Sequence, residues 1–588
     1  MKNESKLIRS SFSGILTVNL ISMVSGILCV MIDAVVTGQF LGADAMAASG
    51  LLQPVVMLCN VFGALFGPGV GVVCTRFLGM ARRERVNQVF SVVVIALTAS
   101  AAILSAALFA ASPVIASVLG RNTGSAEIVS MITAYLRGFS LGLLPMCLNM
   151  PLNGLMMLDN DRKRSVIAML VTLAADVVFD LANVRIFHGG MWGMAIATSL
   201  SQLAGLVIVL THFLKKDRIL NFTRHSLRLD DLKEVVLCGI PSAITLGSQA
   251  LRGIVFNALV LGIAGAGTVA ALSVCTSTFS VVSVIALGVF TTTSMLCSLL
   301  YGEEDREGLI QTLGLSLKTV TIIYLCIAAF LLLLPQFVAG LFLNAEAAAE
   351  LSQAARFIRF MAVQYFLSAV CYSVSGAYQG TRQLKLNYLL DLLREGVFPV
   401  LCALALGKLW GLRGFELSFV VSGALVALCC VLLPWIVGKR FPRSARDLIL
   451  LPEDFGPKPG ELFTATLRTM DDVMAVSDRV KAFCEEKQTS KRVAIMTSLF
   501  VEEIAGNTVL HGFVPGRSCS VDLRLICGGG TQVIRLRDNG VPFDPLDWLK
   551  RNHPEDPVSG AGIRIIVGLA SEVRCTPAMG LNNLMVII

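Results

Sequence analysis

Long apolar runs separated by short polar breaks fill the first three quarters of the chain. Runs of spanning length fall at about 12–36, 49–75, 88–111, 127–151, 164–187 and 191–214, then at about 235–262, 269–300, 310–343, 351–379, 384–407 and 414–437. A helix rises about 1.5 Å per residue, so roughly 20 apolar residues cross the hydrocarbon of a bilayer. The pattern predicts twelve transmembrane helices in two groups of six, parted by the polar segment Lys215 to Lys233. The 310–343 run is long enough to include an interfacial part. After about residue 440 the pattern changes. Phe441 to Gly460 holds four prolines and scattered charge, which reads as a linker. Beyond it come a strand near 462–468, helices near 470–486 and 490–511, strands near 518–526 and 531–537, a helix near 561–571 and terminal strands. That alternation predicts a separate α/β domain. The expected division is 1–219 and 220–440 for two six-helix lobes, 441–460 for the linker and 461–588 for the soluble domain.

Composition agrees with the pattern. Of 588 residues, 55% are hydrophobic and only 15% charged, which excludes an ordinary soluble protein. The net charge of +8 is spread over short loops, so it does not make a nucleic-acid surface. Lys2, Lys6 and Arg9 precede span 1, Arg82, Arg83 and Arg85 separate spans 2 and 3, and Arg162, Lys163 and Arg164 follow span 4. Further basic residues join the halves and follow spans 10 and 12, while the alternate loops carry little. The positive-inside rule then places both termini in the cytoplasm and the chain in the cytoplasmic membrane. The amino-terminal run is too long for a signal peptide and reads as an uncleaved first span. The 16 cysteines form no CxxC pair and no metal-ligand spacing, so they read as small hydrophobes.

The halves repeat. GQFLGADAMAA (38–48) matches GIAGAGTVAA (262–271), and FLGMARRE (77–84) matches LYGEEDRE (300–307) at the same offset. Six spans per half leave both halves the same way up, a transporter layout with the substrate between the halves. Inside the apolar runs a few charges stand out. Asp33 lies in the first run, where a carboxylate is expensive and is a functional candidate by default. In span 5, Asp176, Asp180 and Asn183 fall at i, i+4 and i+7, one face of a helix that Thr172 extends. Two acids on one buried face can load a proton or hold a small cation. Asn149, Asn153, Thr198 and Gln202 are weaker cavity candidates and read better as interhelical hydrogen-bond partners, as Arg394 and Glu395 read best as an internal ion pair.

DAVVTGQFLGADAMAASGLLQP in spans 1 and 2, DVVFDLANVRIFHGGMWGMAIATSLSQ in spans 5 and 6, and GIPSAI opening span 7 together resemble the multidrug and toxic compound extrusion (MATE) family. The resemblance implies alternating access between two lobes and export coupled to protons or sodium. It implies that Asp33 and Asp180 match the family's acids in spans 1 and 5, while Asp176 stands where many members carry Asn. Acids that another branch carries in spans 7 and 10 are absent: span 7 has Arg252 and Asn257, and span 10 has Gln364.

The soluble part carries four short motifs in order. In SLFVEEIAGNTVLHG, Glu503, Asn507 and His511 recur every fourth residue, one face of a helix. An Asn carbonyl is a hard ligand suited to Mg²⁺, and a Glu one turn away can act as a base. In LRDNGVPFDP, Asp538 ends a strand, where it can accept from an amino group, and Gly540 permits close backbone approach. SGAGIRIIVGLASEV is a glycine turn feeding a helix start, which suits phosphate. GLNNLMVII is a turn into the last strand. Together these resemble the GHKL ATP-binding fold, in particular its anti-sigma-factor serine kinase branch. The resemblance implies that Asn507 binds Mg²⁺, Glu503 is the base, Asp538 holds the adenine amino group, and Gly540, Gly560 and Gly562 shape the pocket, with His511 and Ile563 also counted as nucleotide-binding. Leu546 to Ser559 would be the ATP lid. The leading expectation is an ion-coupled antiporter for organic, cationic or amphipathic solutes with an ATP-binding regulatory or kinase domain. A membrane-tethered serine kinase acting on an anti-anti-sigma-type protein, with the transporter half as sensor, is the alternative. A lipid-linked flippase is a third, disfavoured by the acids.

Overall fold

The computed structural model describes residues 5–121, 125–215, 218–223, 227–342, 348–458, 460–514, 516, 518–528, 531–551 and 561–588. Among them twelve helices are long and apolar enough to cross a membrane. One, Leu384–Gly438, is two spans merged where Trp410 and Gly411 leave helical geometry, and another, Lys491–Gly512, belongs to the soluble domain. The crossings are therefore the twelve that hydropathy marked. The first lobe holds span 1 (Lys6–Val36), span 2 (Ala43–Gly79), span 3 (Arg83–Leu119), span 4 (Ala126–Leu158), span 5 (Arg162–Ala182) and span 6 (Gly190–Leu210). The second holds span 7 (Leu229–Ala264), span 8 (Ala266–Gly302), span 9 (Arg306–Leu333), span 10 (Ala348–Gly380), and spans 11 and 12 from Leu384 to Gly438. Pro335 starts a separate short helix, Pro335–Gly340, because its missing N–H suits a first turn, so the long ninth run is indeed a span plus an extra piece.

The internal repeat reaches the backbone. Gly42 and Gly265, Ala81 and Glu304, and Asn160 and Arg382 all take positive φ at matching turns. The lobes meet along spans 2, 7 and 8 at the ends that carry the soluble domain. There glycines admit backbone to backbone: a Cβ on Gly79 would come within 2.0 Å of the Leu299 carbonyl, and one on Gly302 within 2.2 Å of the Arg76 carbonyl. Gly69 and Gly239 do the same between spans 2 and 7. Ion pairs close the seam, Arg76 to Glu234 and Arg85 to Asp231, each at 2.7 Å. Ser298 donates to the Val72 carbonyl at 2.6 Å and Asn19 to Thr292 at 2.9 Å. Thus the two lobes are shut against each other at the domain side.

The soluble domain is a five-stranded antiparallel sheet in the order β1-β2-β3-β5-β4, with β1 Leu462–Leu467, β2 Val521–Gly528, β3 Thr531–Asp538, β4 Glu572–Ala578 and β5 Leu581–Ile587. Two helices, Met470–Glu486 and Lys491–Asn507, cover one face. A capping box between Thr469 and Asp472 starts the first, and Ser490 caps the second through the Val493 N–H. Alternation along the strands sorts the two faces. Val521, Leu523, Leu525, Ile534, Leu536 and Val586 enter a core with the helices that is separate from the membrane core. The other face carries Arg524, Arg535 and Arg537 and rests on the membrane lobes.

Candidate functional site

Span 1 packs on span 5, and this brings together acids far apart in sequence. Carboxylate oxygens of Asp33, Asp176 and Asp180 all lie within 4.8 Å of one another. Asp176 and Asp180 are 1% and 0% exposed, and Asp33 is half-buried. The one-turn spacing of Asp176 and Asp180 puts both on the face toward span 1. Gly205 lets span 6 approach closely, since a Cβ there would strike Thr172 Oγ1 at 2.0 Å. From span 6, Ser201 donates to Asp176 at 2.8 Å. Among the described residues, the remaining contacts of the three acids are with one another and with the Cys29 thiol beside Asp176, and no arginine or lysine is among them. Three carboxylates this close, two of them buried, cannot all stay ionised without a proton or another positive charge among them.

The rest of the span-5 stripe behaves differently. After Ala182 the helix widens into a π-turn, Asn183–Phe187. There the Asn183 amide takes a hydrogen bond from Gly189 N–H and gives one to the Gly190 carbonyl, both at 3.1 Å. Asn183 thus holds the turn into span 6, a role the i, i+4, i+7 pattern did not suggest. Thr172 turns back to its own helix, donating to the Ala168 carbonyl. Asn149 joins Gln202 of span 6 through hydrogen bonds at 2.8 and 3.0 Å.

Between the corresponding spans of the second lobe, 7 and 11, Arg394 and Glu395 keep wider company than a pair of chain neighbours. Glu395 is bridged by Arg394 at 3.1 Å and by Arg252 of span 7 at 3.0 Å, and it accepts from Tyr372 at 3.0 Å. Arg394 also meets Asp391 at 3.0 Å. Two acids and two arginines there neutralise each other.

In the soluble domain, Glu503 and Asn507 stand one turn apart on helix Lys491–Asn507, Glu503 exposed and Asn507 half-buried. The chain then winds as a π-turn, Thr508–Gly512, so a four-residue step no longer closes a turn, and His511 sits exposed beyond the stripe. Asp538 ends β3 and is 8% exposed. Its Oδ1 accepts from Gly540 N–H and from Asn582 of β5, both at 2.8 Å. Burial raises its carboxyl above the usual range, partly offset by those two donors. Gly540 is required by its neighbours, for a Cβ would come within 2.4 Å of the Gly512 carbonyl. Glu503 also borders an apolar cleft of about 110 Å³ with Phe500, Ile565, Leu569 and Ile588. Gly562 and the buried Ile563 lie in the first turn of helix Ala561–Leu569. Gly560 and the lid beyond Arg551 lie outside the described residues.

Two repeated six-helix lobes with a nucleotide-type sheet domain at one end define a membrane transporter carrying an added soluble module. The chain belongs to the MatE family, whose model matches residues 19–181 and 241–390. Residues 463–587 match the histidine kinase-like ATPase domain. Similar proteins include the multidrug export protein MepA of Staphylococcus aureus (strain MRSA252), 21% identical over 73% of this chain and 94% of that one. The MepA of Staphylococcus saprophyticus is also 21% identical, over 73% of this chain and 93% of its own length. Among solved structures, the fold resembles an outward-facing multidrug resistance MATE transporter of the MOP superfamily, with TM-score 0.66, 23% identity and coverage of 72% of this chain and 94% of that one. A MOP superfamily transporter from Pyrococcus furiosus gives TM-score 0.66 at 24% identity, with the same coverage.

Proposed function

We propose that this protein is an ion-coupled exporter of organic, cationic or amphipathic solutes across the cytoplasmic membrane, with a nucleotide-responsive domain on the cytoplasmic side. The carrying observation is the convergence of Asp33, Asp176 and Asp180 with no arginine or lysine among their described partners. These carboxylates fit a proton or sodium ion, a hard cation suited to oxygen ligands. Neutralised, they let spans 1 and 5 stay together; ionised and bare, they repel. A cation that favours one arrangement over the other can shift the equilibrium between them, which is what a gradient acts on. Relatives named for multidrug export support an organic cargo, and the excess of Lys and Arg at the domain-side loops supports a cytoplasmic domain.

In the soluble domain Asn507 would hold Mg²⁺ and Asp538, through its remaining oxygen, the amino group of adenine. Glu503, exposed beside the cleft, would serve as base for phosphotransfer or hydrolysis. The test is efflux from vesicles with an imposed pH or sodium gradient, with and without ATP on the domain side. Gradient-driven efflux that ATP modulates supports the reading; efflux driven by ATP alone, without either gradient, sinks it. Calorimetry on the full chain should show ATP preferred over GTP. Glu503→Gln should bind ATP as well as wild type and lose whatever turnover wild type shows.

A further inference from the structure

The arginine-bearing face of the sheet grips the same turn twice, once in each lobe. The turn after span 2 belongs to the first lobe. Arg535 donates to the Gly79 carbonyl at 2.9 Å, Arg574 to the Met80 carbonyl at 3.3 Å and Thr576 to the Leu78 carbonyl at 3.4 Å. The turn after span 8 is its repeat in the second lobe. Arg524 donates to the carbonyls of Glu303 and Glu304 at 3.3 and 3.2 Å, and Arg537 pairs with the side chains of Glu303 and, at 3.1 Å, Asp305. Both turns sit at helix C-termini, where unpaired carbonyls and the macrodipole favour cations. The contact is dry: Arg537 is 6% exposed, Glu303 3% and Asp305 6%. The gap left between sheet and turns is about 20 Å³, room for one water. Burial would raise the Asp305 carboxyl, but Arg524 and Arg537 hold it below the usual range. The β4–β5 turn adds a second hold on the first lobe, with the Met579 carbonyl accepting from Arg162 and, at 3.4 Å, from Ser11.

Arg535 and Arg537 are two residues apart on one strand, yet one binds the first lobe and the other the second. The ends they bind are those of spans 2 and 8, which cross at Gly79 and Gly302. A strand paired on both edges does not stretch. The lobes cannot part at this side while both arginines stay bound.

We propose that residues 461–588 act as a clasp across the two lobes, holding the domain-side gate shut, so that each transport cycle must release the sheet from one lobe. Arg537 is the latch, and Asp538 is its immediate neighbour on the opposite face of β3. Adenine bound at Asp538 would therefore be felt at the latch. This link to nucleotide rests on the nucleotide reading above; the clasp does not.

The test is peptide-resolved hydrogen exchange on the full-length protein in nanodiscs, following the inner ends of spans 2 and 8. Arg537→Gln, and independently Glu303→Gln on the membrane side, should speed exchange there by about tenfold, the size of an ordinary coupling between sites. The double variant should add little to either one, because both remove the same contact. Arg537→Lys should restore part of the protection. Unchanged exchange in both single variants overturns the clasp, as does faster exchange throughout β2 and β3, which would mean that the domain had merely unfolded. In the wild type, ATP with Mg²⁺ should change exchange at the two turns, and in Asp538→Asn it should not. If calorimetry shows ATP bound while the turns do not respond, the link through β3 is wrong. If no ATP binds, the nucleotide reading fails, and the two single variants still decide the clasp.

Discussion

Both lobes bury charge between their first and fifth spans, and they resolve it in different ways. In the first lobe, Asp33, Asp176 and Asp180 converge without an arginine or lysine among the partners the structure gives them. In the second, Arg252 and Arg394 neutralise Asp391 and Glu395, and Tyr372 and Gln249 donate to Glu395. The first arrangement holds three acids with no cationic side chain among their described partners. The second carries its own cations, two arginine guanidinium groups against two acids, although Arg394 Nη1 donates no hydrogen bond among the described residues. Within one repeated fold, one lobe neutralises its buried acids with its own arginines and the other does not, and the proposed coupling is assigned to the lobe that does not.

Substitutions should break this asymmetry in a graded way. The largest effect should come from Asp180→Asn or Asp33→Asn, each cutting gradient-driven efflux by more than about a hundredfold, because differential affinity for the ion is what drives the population shift. Both variants should reach the membrane folded; full transport in either would remove the acid cluster from the mechanism. Next comes Glu395→Gln. It leaves two buried arginines with one acid, which should cost about 3–5 kcal/mol of stability, as removal of one partner of a buried pair does. Thermal unfolding should show the loss, whereas Asp180→Asn should leave the midpoint unchanged or raise it by removing like-charge repulsion. Equal midpoints for the two variants would end the distinction between the lobes.

Asp176→Asn should be milder, about tenfold or less in efflux, since Ser201 can still donate to an amide oxygen and the ion keeps two carboxylates. The smallest effect concerns pH. Burial holds the Asp538 carboxyl above its usual range in the free domain, and adenine needs it ionised. ATP affinity should therefore fall on acidification, starting above the ordinary carboxylate range near about 4, and be flat at alkaline pH. Calorimetry between pH 5 and 8 checks the sign, and Asp538→Asn should flatten the profile at weak affinity.

Hydropathy alone located the spans, because a bilayer imposes length and apolarity on each helix separately. The repeat was legible too, down to the turns at 77–84 and 300–307 that later proved to share a left-handed residue. Asp176 and Asp180 could be placed on one face from their spacing, since helical periodicity is local. Asn183 could not be read correctly from the same spacing, because a π-turn at Asn183–Phe187 breaks the period where the stripe was expected to continue. His511 left its stripe for the same reason at Thr508–Gly512.

By itself, then, the sequence determined what depends on near neighbours: twelve crossings, two like halves, a linker, a sheet domain with an Asn, an Asp and glycines in nucleotide-site order. Tertiary structure decided what depends on segments remote in the chain. It joined Asp33 of span 1 to the acids of span 5, and it brought Arg252 of span 7 to Glu395 of span 11. It also turned Arg524, Arg535 and Arg537 of the sheet onto the ends of spans 2 and 8. The physical reason is that charge in a low-dielectric interior is governed by what lies within a few ångströms. The adjacent Arg394 and Glu395 could be paired from the chain, but Arg252 beside them and Asp33 beside the acids of span 5 were placed only by packing.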